Sequence, residues 1–426
     1  MKKRVLVVGA GASGLAAAIT AAREGAQVTV LEAEDKPCKK LLRTGGGRCN
    51  LANAADPASV YDCSDPSFPI EVLSNCSVEQ ILAFFRSLGV ESRSLDGWYY
   101  PASEEAKAVA DALLAEARRL GVKLKFSERV TALRKEEDGT FTAETASWHY
   151  QAEALILACG TPAGLKESPA DASLTDSFGL KRAPHLPALV PLRAEGMPCK
   201  IWAGVRVRAK ASLYTGKAAE AMQAGKSRCA GKEAEVLQSK KPADEMTVYA
   251  APDYTEAGQI QFISTGISGI PIFNLSIRAG RALKAGKAVT VCLDFLDGLD
   301  ADSVLQRLSG LEEEKNEKER IRLLRCVLPE KLAEAAAVVM KKKKCSTEEI
   351  LRAFPVKISG TGTLAEAQAA GGGVLTAAVS PETMMTEHVP GLYLTGEILE
   401  PVGHCGGFNL QFAWAGGILA GKSASV

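Results

Sequence analysis

Between Val5 and Glu32 the chain reads VLVVGAGASGLAAAITAAREGAQVTVLE, and few folds accommodate such a stretch. Val5 to Val8 form a short apolar, β-branched run, the pattern of a buried parallel strand. Gly9, Gly11 and Gly14 follow as G-x-G-x-x-G. Ala16 to Arg23 read as a helix ended by Gly25, and Gln27 to Leu31 as a second strand with Glu32 at its end. Each glycine has its own task in such a unit. Gly9 permits the tight turn, Gly11 lets a pyrophosphate approach the backbone, and Gly14 lets the helix pack close to the strands. The free N–H groups of Ala12, Ser13 and Gly14 at the helix start then face the phosphates. Glu32 is an acceptor placed for a ribose diol. A glycine motif alone is weak evidence, but here the strand, the helix and the acidic residue are all in place. A glycine turn in an ordinary βαβ unit is the plainer alternative. A secretory leader over Met1 to about Ala22, suggested by Lys2, Lys3 and Arg4, would lose the strand and glycines on cleavage and leave Glu32 without a purpose.

The 426 residues suffice for two or three domains with sizeable cores. With 51 basic and 50 acidic side chains the net charge is +1, so no global field favours nucleic acid or a membrane surface. No apolar run reaches the length of a membrane span. The eleven cysteines show no C-x-x-C, which disfavours zinc, a thioredoxin-like pair and haem attachment. The expectation is a protein with reduced thiols in a cytoplasm.

After Glu32 comes AEDKPCKKLLRTGGGRCNLAN. Gly45, Gly46 and Gly47 make a flexible loop flanked by Lys39, Lys40, Arg43 and Arg48, with Asn50 and Asn53 as neutral donors. Such a loop suits a second contact to a phosphate or an electron-rich ring; a surface loop with solvated lysines is the alternative, closest for Lys39 and Lys40. TGGGRCN after a dinucleotide-binding start resembles the BaiN/RdsA-like family of NAD(P)/FAD-dependent oxidoreductases, also described as aminoacetone-oxidase-like flavoproteins. The resemblance implies FAD, with Glu32 on the adenosine ribose.

Further along, Ser77 caps a helix whose Val78, Ile81, Leu82 and Phe85 share one face. Trp98, Tyr99 and Tyr100 form an aromatic turn that would line a cleft or fill a seam. Short strands follow, including Val130 to Leu133; the resemblance implies that the backbone at Val130 pairs with adenine. Leu155 to Cys159 are another buried strand, and ILACGTP resembles the segment where such chains pass the flavin again. Ala158 and Gly160 become contacts there, with Cys159 and Thr161 departing from the family pattern. From Pro184 the texture is that of antiparallel strands, and Gly216 to Asp244 reads as a peripheral excursion rich in Lys, Ala and Glu. GQIQFISTGISGIPIFNLS also resembles the family, with Thr265 where a His is usual. Gly266, Ser268 and Gly269 there either aim a helix start at the active site or make a turn before a buried helix. Asp294 to Met340 look helical, with Lys341 to Lys344 as a solvated helix end. Gly360, Gly362 and Ala365 form G-x-G-x-x-A without a clean βαβ unit, so no separate nicotinamide domain is predicted.

The other strong signal is GLYLTGEILEPVGHCGGFNLQFAWAGGILAG, from Gly391 to Gly421. A strand at Leu392 to Leu394 ends at Gly396 and Glu397. Gly406 and Gly407 then open a helix from about Asn409, with Phe408, Asn409, Leu410 and Gln411 near its first turn. The stretch resembles the family's GE-x-x-D…GG[YF]N-x-Q signature, with Glu400 or Pro401 where Asp is usual. Contacts to FAD are therefore implied for Gly396, Glu397, Gly407, Phe408, Asn409 and Leu410, beside Lys40, Gly45, Gly46, Arg48, Cys49 and Asn50.

The predicted fold is α/β: a doubly wound Rossmann-like FAD-binding domain built from both chain ends, residues 1–185 and 354–426, around a β-rich insert at 186–292 and a helical insert at 293–353. The implied activity is hydride transfer from NAD(P)H through FAD to a conjugated C=C bond of an enone; members of one class in the family reduce the A/B rings of 3-oxo bile acids. The substrate is then a small molecule, with no nucleic acid and no membrane span. Tyr99, Tyr100, His404 and Cys49 are the candidate proton donors. An amine oxidase using O₂, and a non-catalytic FAD-bound protein associated with nucleic acid, are the alternatives.

Overall fold

The computed structural model describes residues 2–164, 172–223, 227–229, 248–311 and 313–426. Their contacts divide the chain into two compact units: Met1–Leu186 with Leu364–Val426, and Pro187–Thr363.

The first unit begins with β1 (Arg4–Val8), α1 (Ala12–Arg23) and β2 (Gln27–Leu31). The helix starts four residues before the alanine run, because Gly11 is its N-cap in extended backbone. α2 (Ala106–Arg119), β3 (Lys123–Lys125) and β4 (Ala154–Leu157) follow, then β5 (Arg182–Ala188). After the second unit the chain returns with β6 (Ala369–Val374), β7 (Leu392–Leu394) and α3 (Phe408–Ser425). The main sheet has the order β7-β4-β1-β2-β3 and is parallel throughout. Its central strands are nearly all apolar and buried, as a parallel sheet requires. Because β7 pairs with β4, the two chain ends share one sheet. They also share a helix contact: an added Cβ on Gly417 or Gly421 of α3 would collide with the carbonyl oxygens of Ser13 or Ala17 in α1.

Two smaller features match local sequence signals. Ser77 and Gln80 form a capping box at the start of the helix Val78–Ser87. Trp98–Pro101 is a strand in a small antiparallel sheet with Ser92–Leu95 and Ala52–Asn53, so the aromatic turn is extended backbone.

Charge ties α2 to α1. Glu116 is buried and takes hydrogen bonds from Arg119 Nε at 2.6 Å and Arg23 Nη2 at 2.7 Å. The Arg119 guanidinium first, then Arg23, hold its carboxyl down at about 2. The stabilisation is therefore present above the ordinary carboxylate range and is lost as pH falls toward 2. Glu116→Gln is expected to lower unfolding stability by about 1–2 kcal/mol at pH 7, since Arg119 is itself solvated. The difference from the parent should shrink as denaturation is repeated at pH 4 and pH 3.

The second unit is a closed antiparallel barrel. Its strands run in the order Leu192–Ala194, Gly266–Ser268, Tyr254–Ile263, Arg206–Thr215, Val289–Asp294 and Phe354–Thr361. The helices Ala301–Arg307, Glu317–Leu324, Glu330–Lys343 and Thr347–Arg352 belong to this same unit. Leu324, Leu332 and Ala336 share one apolar core with Phe262, Val291 and Phe354 of the barrel. A β-rich and a helical stretch that look separate in sequence thus have a common interior. Gly266 and Gly269 are explained by close backbone approaches, to Leu192 and to Gln259, at the turn before the helix Ile270–Lys284. The segment around Gly360 is a barrel strand, so G-x-G-x-x-A there is not a nucleotide turn. Of the excursion expected from Gly216 to Asp244, residues 224–226 and 230–244 lie outside the described residues.

Candidate functional site

The carboxyl ends of β1, β2, β4 and β7 lead into Gly9, Glu32, Ala158 and Gly396 respectively. In open parallel sheets this edge is where ligands lie. At β1, Gly9 has φ +105° and donates its N–H to Leu31 O at 2.8 Å. A Cβ there would strike the Ala158 carbonyl, and one on Gly14 would strike Gly9 O. Gly11 differs: a Cβ there meets nothing within 4 Å. The first and third glycines are thus spent on packing, and the second faces open space beside the N–H groups of Ala12 and Ser13. Ser13 is buried, with Oγ 3.4 Å from Thr395 O, and an added Cβ on Gly396 would strike that Oγ.

Glu32 is held by the turn it follows. Its carboxylate accepts from Ala10 N at 2.7 Å and Glu34 N at 2.9 Å. Burial pushes its carboxyl above the ordinary range, and the two backbone donors oppose this. Glu128 N donates to Glu32 O at 2.8 Å, which brings the segment leading into buried Val130 to the end of β2.

The glycine loop is built on left-handed backbone: Gly45, Gly46 and Gly47 have φ of +56°, +68° and +91°. The Arg48 guanidinium lies over the Tyr100 ring, 4.8 Å from its centroid, and is 3.6 Å from Glu104. The loop is joined to the opposite end of the chain. Asn53 N donates to Gln411 Oε1 at 2.9 Å, and Asn53 Nδ2 to Gly406 O at 2.8 Å. Tyr61 Oη donates to Phe408 O at 2.8 Å. Gly407, with φ +100°, caps α3 so close to Asn50 that a Cβ would lie 2.6 Å from Asn50 Oδ1. That oxygen is buried and has no hydrogen-bond partner among the described residues.

A third junction ties the segment entering the glycine loop to the turns after β4 and β7. Lys40 Nζ donates to Thr161 Oγ1 at 3.2 Å and pairs with Glu397. Lys40 is thus anchored between the turns after β4 and β7 and is not a freely solvated surface lysine. Thr161, which departs from the family pattern, has a side-chain partner of its own.

The remaining sequence candidates fall into place less uniformly. Asn409 turns its amide back on Gly403, donating and accepting at 2.8 Å, so α3 offers a ligand its first-turn backbone rather than this side chain. Leu410 is half-buried beside it, and Gly160 has φ +68° with open space where a Cβ would stand. Glu400 is a buried tie: its carboxylate accepts from Ser64 N at 3.1 Å, Ser64 Oγ, Thr376 N at 3.2 Å and Thr376 Oγ1 at 3.3 Å. Among the proposed donors, Cys49 is fully buried with its thiol pushed up to about 12 by burial, a poor source of protons at neutral pH. His404 is buried, its backbone N–H donating to Val60 O at 3.0 Å. Tyr100 is buried under Arg48 with its phenol raised by burial, and Tyr99 is half-buried.

A parallel sheet, a glycine turn into a helix, an acidic residue at the next strand end and a second helix start from the far terminus together define a Rossmann-type dinucleotide-binding protein. The sequence matches the HI0933-like protein Rossmann domain over residues 3–423. It is 35% identical to the 3-dehydro-bile acid delta(4,6)-reductase of Clostridium scindens, covering 99% of both chains. It is 24% identical to the ribosomal RNA dihydrouridine synthase of Escherichia coli, covering 96% of this chain and 95% of that one. Among solved structures, the 3-ketosteroid-delta4-(5alpha)-dehydrogenase of Rhodococcus jostii RHA1 aligns with a TM-score of 0.45 at 15% identity, covering 100% of this chain and 97% of that one. The chain belongs to the HI0933-like family of FAD-dependent oxidoreductases.

The residues present fit FAD. Open space at Gly11, Gly46 and Gly160 leaves backbone accessible, and the orphaned Asn50 Oδ1 beside the start of α3 calls for an outside donor. Among the described residues no group of His, Cys, Asp and Glu is placed to hold a metal ion, and no described helix is long and apolar enough to cross a membrane.

Proposed function

We propose that this flavoprotein takes hydride from NAD(P)H and reduces a conjugated C=C bond of an enone, with a steroid-like bile acid intermediate as the substrate class. The observation that carries this reading is the end-to-end similarity to a relative named as a bile acid delta(4,6)-reductase. FAD, when bound, supplies the two-electron carrier. The chain's part is to bind and tune it. Gly11 and the first turn of α1 accept the pyrophosphate, and Glu32 takes the ribose. The first turn of α3 offers N–H groups to negative charge on the reduced ring, an effect of about 0.3–1 kcal/mol in the open and more when buried. Reduction of an enone also needs a proton at the carbon next to the carbonyl. Burial makes both the Cys49 thiol and the Tyr100 phenol hold their protons more tightly, which leaves the half-buried Tyr99 as the more accessible of these candidates.

Anaerobic mixing of the FAD-loaded protein with NADPH or NADH is expected to bleach the visible flavin absorbance. Adding a 3-oxo-4,6-diene bile acid should then restore it. A flavin that stays oxidised with both nucleotides rules out the reductase reading, and bleaching by an amine with reoxidation by O₂ would move the protein to the amine oxidases. The ribosomal RNA relatives raise a further reading in which RNA is the binding partner. The balance of 51 basic and 50 acidic residues argues against it, and RNA binding that weakens steeply with salt would revive it.

A further inference from the structure

We propose that Asn53 is a cofactor-positioning residue: by gripping the start of α3 at two points, it sets how strongly that helix end favours reduced over oxidised FAD. The inference rests on the FAD reading above, with the pyrimidine edge of the ring at the first turn of α3. Asn53 ends the short strand Ala52–Asn53, opposite Trp98 in the neighbouring strand, and is buried. Its Oδ1 accepts from Ala55 N at 2.8 Å, which settles the way the amide faces and turns Nδ2 to donate to Gly406 O at 2.8 Å. Its backbone N–H donates to Gln411 Oε1 at 2.9 Å. Gly406 stands just before the cap of α3. Gln411 lies one turn inside, where its own N–H bonds Gly407 O at 2.8 Å. The two grips therefore hold the opening turn from both sides. Trp98 closes against it as well: a Cβ on Gly406 would stand 3.0 Å from Asn53 Nδ2 and 3.1 Å from Trp98 Cζ2.

What this turn presents is a set of donors. The N–H groups of Phe408, Asn409 and Leu410 precede the bond from Gln411 to Gly407, so the ladder of the helix does not use them. Their pull on negative charge falls off within the first turn and depends on where they point. The flavin ring gains negative charge on reduction, so a displaced turn costs the reduced form more than the oxidised one. Such a preference needs the donors held within about 0.5 Å, which is what anchoring on a paired strand provides. With both ends of its amide engaged, Asn53 acts through Gly406 and Gln411 rather than by touching the ring. A ligand at this turn has separate support in Asn50, whose buried Oδ1 lies against Gly407 and has no partner among the described residues.

Two substitutions release the grips one at a time. Asn53→Ser keeps a neutral hydroxyl for Ala55 N but is too short to reach Gly406. Gln411→Met removes the acceptor for Asn53 N and leaves the Asn53 side chain in place. In each FAD-loaded variant the dissociation constant of reduced FAD is expected to rise about tenfold more than that of oxidised FAD. That difference lowers the midpoint potential of the bound flavin by about 30 mV, read by equilibration against a reference dye. Glu116→Gln, which loosens α1 from α2 and leaves this turn alone, should keep the parent's midpoint. An unchanged midpoint in the two variants, with both redox forms weakened equally, overturns the proposal, because Asn53 then serves the fold alone. The same drop in Glu116→Gln overturns it too, since general loosening would then be the cause. The amide resonances of Phe408, Asn409 and Leu410 in the unmutated protein give a readout that does not depend on a variant folding: they should move when bound FAD is reduced. Resonances that stay still overturn the proposal while leaving FAD binding intact. Failure of the unmutated protein to take up FAD at all removes both this inference and the reading beneath it.

Discussion

Gly11→Val is expected to give a folded, colourless protein. Gly11 has φ −84° and ψ −165°, a conformation open to valine, and the space where its Cβ would stand is empty in the polypeptide. The fold therefore loses little: about 1 kcal/mol or less, as for a surface substitution. The added side chain stands instead where a pyrophosphate must meet the first turn of α1. FAD affinity should fall at least about 100-fold, which corresponds to roughly 3 kcal/mol. Flavin absorbance after purification in excess FAD, together with a thermal melt, checks both halves of the expectation. The paired control is Gly14→Ala, whose Cβ would collide with Gly9 O. That variant should lose stability before it loses cofactor. A yellow Gly11→Val protein would remove the pyrophosphate from this turn.

Gly417→Val is expected to be the most damaging change for the fold. α3 crosses α1 at contact distances that only glycine allows. A Cβ on Gly417 would strike Ser13 O and stand 3.0 Å from Ala16 Cβ. Backbone cannot retreat as a side-chain tip can, so the helices must separate. Overpacking of this kind costs about 1–3 kcal/mol, and the loss of the neighbouring close contact at Gly421 brings the expected value to at least about 3 kcal/mol. The same shift moves the start of α3 away from the loop carrying Asn50 and Asn53, so cofactor affinity should fall with stability. Denaturant unfolding of the variant with and without FAD checks this. A variant as stable as the parent would mean that the two ends of the chain do not pack as described.

These expectations draw on different kinds of information. The turn at Gly9 to Gly14, the helix after it and the second strand ending at Glu32 were legible because strand, turn and helix signals are local and each residue type answers a steric demand within its own few neighbours. The glycines at Gly396, Gly406 and Gly407 were visible for the same reason. What those glycines touch was not. The sequence by itself determined a dinucleotide-binding start and a second glycine-opened helix. Only the tertiary structure decided that Lys40 would meet Glu397 and Thr161, that Asn53 would hold Gln411 and Gly406, and that Glu400 would be consumed by Ser64 and Thr376. It also turned Asn409 back on its own loop. Partners hundreds of residues apart leave no periodicity along the chain. They are chosen by how a parallel sheet orders its strands and by which polar groups must find one another once water is excluded.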